Sequence, residues 1–277
     1  MTATGPRREI VSFVALAYGI SWAIFLAGWS LSGFSSSPED FYLWVMASAF
    51  GPGLAGAWLS WRDRNLGTWL RSFIKVRAGW KAYALTLLAV PLTALALTIL
   101  GGFEANTKYG DASLIYLTLF PVVILNGAVT ALLGAGPLGE EGGWRGYLLP
   151  RLLKSSGTIK ASVILGIIWS FWHLPIMAVS AEWRSGLSFA LYLPIYTVGV
   201  IMLSILLTRV WQLSGGSIFL CVWLHGIVNV TGSAAFGSLW ISDTHGPLSR
   251  VLFFSLALSL SAGLALIIGR RPKIRVI

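Results

Sequence analysis

The chain of 277 residues is 56% hydrophobic and only 11% charged, with a mean hydropathy of +0.77. An ordinary soluble domain is about 45–50% apolar, so this composition excludes one and reads as a polytopic membrane protein. The net charge of +10 is distributed as a topology signal, not as a nucleic-acid-binding face, and no nucleic acid partner is expected. A spanning helix needs about 20 mostly apolar residues, and eight stretches qualify, near 10–31, 42–61, 82–101, 115–136, 159–179, 188–208, 216–236 and 251–269. The short alternating segments of a β-barrel do not occur. The fold expected is therefore all-α, a transmembrane helix bundle of about eight spans making one membrane domain over residues 1–277.

In chain order, the first stretch follows Arg7 and Arg8 as a signal peptide would. Its apolar core exceeds the usual ~7–15 residues and no small-residue cleavage site follows, so it reads as a retained helix anchored by the arginines. Ser35-Ser36-Ser37-Pro38 and Gly101-Gly102 mark outer turns, and Ser214-Gly215-Gly216-Ser217 an inner one. The longest polar connection, Arg62 to Lys81, is basic and dotted with Trp69, Phe73 and Trp80, as an amphipathic segment lying on the inner leaflet would be. Tyr109-Gly110-Asp111 falls in an outer loop with Lys108 before it and receives no role, nor does His245 beside Asp243. Cys221 is single, which excludes a disulfide framework or a Cys-rich metal site, and reads as a small buried residue. No internal repeat supports an inverted-repeat transporter.

With the N-terminus inside, the inner segments hold 17 of the 20 basic residues and the outer ones only Lys108, Arg184 and Arg250. This asymmetry puts both termini in the cytoplasm of a plasma membrane, and anionic lipid headgroups are the partner expected for the charge.

Three apolar segments carry ionisable groups, which cost roughly 2.5–3.5 kcal/mol each at membrane depth on insertion scales and so point to function. Glu140 and Glu141 stand side by side in Gly139-Glu140-Glu141-Gly142-Gly143-Trp144-Arg145-Gly146. His173 lies in the fifth stretch, and His225 in the seventh, with Asn229 four residues on and hence on the same helix face. Both histidines are expected at similar depth on parallel helices. A continuous helix entering near 115 would already have crossed by Glu140, so Gly134, Gly136, Pro137 and Gly139 are expected to break it where its freed backbone lines a cavity. Glu141 and Arg145, four apart, suit a helical ion pair as well as a site role. Trp144 and Trp172 read mainly as packing aromatics.

This set suits hydrolysis of an amide. Glu140 can take a proton from water with His173 orienting it, and His225 and Asn229 can donate to the oxyanion that forms. A second arrangement makes Glu140, His173 and His225 the ligands of a divalent metal such as zinc, and the sequence does not choose between the two. No HExxH, G-x-S-G or G-x-S-x-G motif is present.

Glu140-Glu141-Gly142-Gly143-Trp144-Arg145-Gly146, Trp169-Ser170-Phe171-Trp172-His173 and His225-Gly226-Ile227-Val228-Asn229 resemble, in order and spacing, the EExxxR, FxxxH and HxxxN motifs of the CPBP (Abi) family. That family comprises type II CAAX prenyl endopeptidases and bacterial relatives linked to bacteriocin processing or self-immunity. The resemblance covers roughly residues 115–235 and implies a catalytic core there, in a bacterial or archaeal membrane. It implies Glu140 and His173 as water activators, His225 and Asn229 as the oxyanion hole, and Glu141 and Arg145 in support. The departure is Trp169, where the motif has phenylalanine; it is expected to affect packing alone. The first reading is a membrane endopeptidase cutting a prenylated or leader peptide at the cytoplasmic side. The alternatives are a catalytically silent immunity or partner protein on the same scaffold, and a proton-coupled transporter, which can also use intramembrane Glu and His.

Overall fold

The computed structural model describes residues 6–35, 38–100, 121–130, 135–179, 188–236 and 247–268. Ser36, Ser37, Gly101, Gly102, Lys108, Tyr109, Gly110, Asp111, Gly134, Arg184, Asp243, His245 and the basic residues from Arg270 onward lie outside them. Among the described residues every regular element is helical. They are α1 (Pro6–Leu31), α2 (Pro38–Ser48), α3 (Gly51–Arg62), α4 (Leu66–Phe73), α5 (Trp80–Leu100), α6 (Pro121–Thr130) and α7 (Ala135–Gly143). A π-turn (Trp144–Leu148) leads to α8 (Leu149–Ser155), and then come α9 (Thr158–Trp172), α10 (Leu174–Val179), α11 (Phe189–Leu213), α12 (Ile218–Phe236) and α13 (Pro247–Ile268). α1, α5, α11 and α13 are long and apolar enough to cross a membrane by length and composition, and α6, α9 and α12 are shorter apolar helices.

The pattern of exposure is that of a bundle in lipid. On α13, Leu252, Leu256, Leu260 and Leu264 recur every four residues and are exposed, while Ala257, Ser261 and Ala265 on the opposite face are buried. Large apolar side chains face outward and small ones let the helices approach, the arrangement that packing in membranes favours. α13 lies against α5 and α11, and Thr93 of α5 shares a buried 2.8 Å hydrogen bond with Ser261.

Two expected spans are interrupted among the described residues. The 42–61 stretch divides into α2 and α3, because Pro52 has no N–H to give the carbonyl of Ser48. The Ser21 hydroxyl of α1 donates to that carbonyl instead, at 2.8 Å. The 159–179 stretch divides at His173, since Pro175 cannot donate to Phe171, and the carbonyl of Trp172 accepts Trp22 Nε1 at 3.0 Å. Of the 115–136 stretch, residues 121–130 (α6) and 135–136 (the start of α7) are described, and α7 runs unbroken through Gly136, Pro137 and Gly139, which were expected to break it.

α7, the π-turn and α8 run through the middle of the bundle. α3 packs on one side of α7 and α12 on another, and Trp144, Tyr147, Leu148 and Leu149 are fully buried against Phe13, Leu165 and Leu206. The π-turn precedes Pro150 and closes with the N–H of Leu149 on the carbonyl of Trp144. An inserted residue of this kind commonly accompanies functional helices. The amphipathic α4 leaves none of its residues fully buried, yet Trp69 Nε1 reaches the carbonyl of Gly142 at 2.8 Å. It thus lies over the acidic segment.

Candidate active site

Glu140 and Glu141 are consecutive on α7 and therefore diverge. Glu141 turns to the interior with Arg145, both 0% exposed and joined at 3.0 Å. The same Glu141 Oε1 lies 2.9 Å from His225 Nδ1 on α12. A carboxylate can only accept, so Nδ1 carries the proton and donates, leaving Nε2 as the free nitrogen of His225. The Arg145 guanidinium lies over the ring of Trp169, 4.4 Å from its centroid. A buried carboxylate, a guanidinium and an imidazole thus form one network, and holding the remote ring nitrogen is the usual way an imidazole is oriented.

Glu140 is buried on the other face of α7. Its Oε2 accepts Trp169 Nε1 at 2.6 Å and, more weakly, Trp144 Nε1 at 3.4 Å. Its Oε1 faces Gly136 one turn earlier: a methyl group on that glycine would stand 3.4 Å from Oε1 and 3.8 Å from Asn229 Nδ2. The carboxyl of Glu140 also interacts electrostatically with His225.

His173 is placed by the end of α9. Its backbone N–H bonds Ser170, not Trp169, so the Trp169 carbonyl is free to accept His173 Nδ1 at 2.9 Å. The carbonyl cannot donate, so Nδ1 carries the hydrogen and Nε2 of the neutral ring keeps its lone pair. The half-buried ring packs edge-on against Trp172 and Tyr196, centroids at 4.7 and 5.6 Å, and interacts electrostatically with His225. Asn229 is exposed, one turn beyond His225 on α12.

The structure therefore brings Glu140, Glu141, Arg145, His173 and His225 around Trp169, with Asn229 at the open side beside Gly136. Exposure increases from Glu141 and Arg145, through Glu140 and His225, to His173 and Asn229, so the cluster opens past the last two. Sequence reasoning missed the Glu141–His225 bond and the two indole donors. Tyr196, in electrostatic contact with Glu140, was also missed. Only Trp169 left a signal, an indole where the motif has phenylalanine. Among the described residues no three His, Cys, Asp or Glu side chains gather as a group able to hold a metal ion. The zinc arrangement does not fit these residues as they stand.

Comparison with known proteins agrees with the motifs. Residues 120–231 match the family described as type II CAAX prenyl endopeptidase Rce1-like. Over 100 residues the chain is 32% identical to a protein named CAAX prenyl protease 2 from Methanococcus maripaludis. The match spans about a third of either protein, 33% of this chain and 34% of that relative.

Proposed function

From the match of residues 120–231 to the Rce1-like type II CAAX prenyl endopeptidase family, we propose that this integral membrane protein hydrolyses a peptide bond in a membrane-associated peptide. The substrate classes are a prenylated CAAX-type C-terminus and a leader peptide, and residues 115–235 are the catalytic core. The observation that carries the reading is Glu140: a buried carboxyl with one oxygen held by indoles and the other facing the gap beside Gly136 and Asn229.

In this reading a water molecule in that gap is held by the lone pair of His173 Nε2 and gives its proton to Glu140 Oε1 as its oxygen attacks the scissile carbonyl carbon. In its imidazolium form His225 keeps Nδ1–H on Glu141 and turns Nε2–H, with Asn229 Nδ2, to the carbonyl oxygen, where donors stabilise the charge that develops. The C–N bond then breaks as Glu140 returns the proton to the leaving amine, giving a free amine and a carboxylic acid whose remaining proton came with the attacking water. Glu141 and Arg145 hold His225 for this task. The side chains of Trp144 and Trp172 flank the cluster, and the anionic lipid headgroups of a plasma membrane surround the basic loops.

Purified protein in lipid vesicles, offered farnesylated CAAX peptides and leader peptides, tests this directly. Glu140→Gln keeps the shape and removes the base, and cleavage should fall about 10²- to 10⁴-fold, the usual contribution of a positioned general base. Unchanged cleavage in Glu140→Gln overturns the proposal, and solute flux without peptide products identifies a transporter instead.

A further inference from the structure

Trp169 touches four members of the cluster, Glu140, His173, Arg145 and His225. Its indole N–H donates to Glu140 Oε2 at 2.6 Å, and its backbone carbonyl accepts His173 Nδ1 at 2.9 Å. Its ring face lies under the Arg145 guanidinium at 4.4 Å, and the His225 ring meets it nearly at right angles, centroids 5.2 Å apart. The side chain is 2% exposed, so no water competes for the N–H. A phenylalanine at this position fills similar space and offers a ring face to the guanidinium, but it has no donor.

We infer that Trp169 is the positioning residue for Glu140: its N–H fixes Oε2, and so leaves Oε1, the oxygen beside Gly136 and Asn229, to receive the proton of the attacking water. A carboxylate with both oxygens free can turn about its terminal bond, whose torsional preference is broad. A donor on one oxygen removes that freedom. Trp144 Nε1, at 3.4 Å from the same oxygen, reinforces the choice from within the same segment. The carbonyl of the same residue selects the Nδ1–H form of His173, so one amino acid aims both groups that the proposed hydrolysis assigns to the water. The inference rests on that hydrolytic reading for its kinetic consequence and on geometry alone for the contact.

The experiment uses full-length protein in lipid nanodiscs. Trp169→Phe, and replacement of Trp169 by benzothienylalanine, which keeps the bicyclic shape without the N–H, should lower kcat roughly 10- to 100-fold with KM changed less than about twofold, as misplacement of a reacting group does. Thermal stability should stay close to that of the parent for the sulfur isostere. Benzothienylalanine protein with parental kcat overturns the inference. A readout independent of cleavage is the nuclear magnetic resonance signal of the indole N–H, with tryptophan isotope-labelled at the indole nitrogen and the Trp169 signal recognised by its loss in Trp169→Phe. It should move upfield in Glu140→Gln, where a charged acceptor becomes neutral, and an unmoved signal overturns the contact. A parent protein that cleaves none of the peptides overturns the hydrolase reading and with it the kinetic half of the inference, while the indole signal still decides the contact.

Discussion

Arg145 and Glu141 meet with both side chains at 0% exposure, and three of their polar atoms, Glu141 Oε2 and Arg145 Nε and Nη2, have no hydrogen-bond partner among the described residues. A buried pair of this kind contributes little net stability, but removing one member strands the other's charge at a cost of about 3–5 kcal/mol. Arg145→Leu should therefore destabilise the protein by roughly that amount, measured by denaturant titration in detergent, whereas Arg145→Leu combined with Glu141→Gln should recover much of the loss. A double variant no more stable than the single one would show that the loss does not come from a stranded charge. The double variant also loosens His225, so it should remain poor at cleavage even when it is stable. Such charges were legible in the sequence because an ionisable group stands out in an apolar chain, and spacing on one helix could be read for Glu141 with Arg145. The bond from Glu141 to His225, 84 positions apart, and the choice of Oε2 by Trp169 depend on how helices cross, which no local spacing encodes.

At the scale of elements, the position of Glu140 depends on how closely α7 lies against α3. A methyl group on Gly53 would come within 2.4 Å of the Gly139 carbonyl oxygen, and one on Gly143 within 2.3 Å of that of Pro52. Both obstacles are backbone, so neither can yield as a flexible side chain would. Gly53→Ala should push α7 away, costing about 1–3 kcal/mol as overpacking does, and reduce cleavage beyond what the stability loss explains. Gly19→Ala on α1, where an added methyl meets nothing within 4 Å, is the control expected to change neither. Equal melting temperatures for the two variants in detergent would contradict the close fit. The eight apolar stretches located the helices because burial in lipid demands long apolar runs. The interruptions at Ala49-Phe50 and His173 stayed hidden because hydropathy does not change across them. Proline alone would not have revealed them, since Pro91 and Pro194 lie inside unbroken helices. What differs at Pro52 is an outside donor, the Ser21 hydroxyl, and donors of that kind are set by packing.

For the molecule as a whole, two sets of contacts group the ends that the charge pattern assigns to one side of the membrane. Arg151, at the start of α8, bonds Glu9 of α1 and Asp63 after α3, each at 2.8 Å. Lys75 Nζ donates to the carbonyl of Gly215 at 2.6 Å, and Ser217 Oγ to that of Lys75. These ends therefore lie together in the fold whichever side they face, and the excess of basic residues among them makes the cytoplasm the expected side. Cys221 is buried, so the native chain should be nearly silent to a membrane-impermeant maleimide, and single cysteines can report orientation against a low background. Asn65→Cys, beside the basic segment, should be labelled in inverted vesicles and protected in intact cells. Asp40→Cys, at the other end of α3's neighbour α2, should show the reverse. The opposite pattern would turn the bundle over, put the network around Arg151 on the outer face, and leave the basic loops without the anionic inner-leaflet headgroups that their charge is expected to meet.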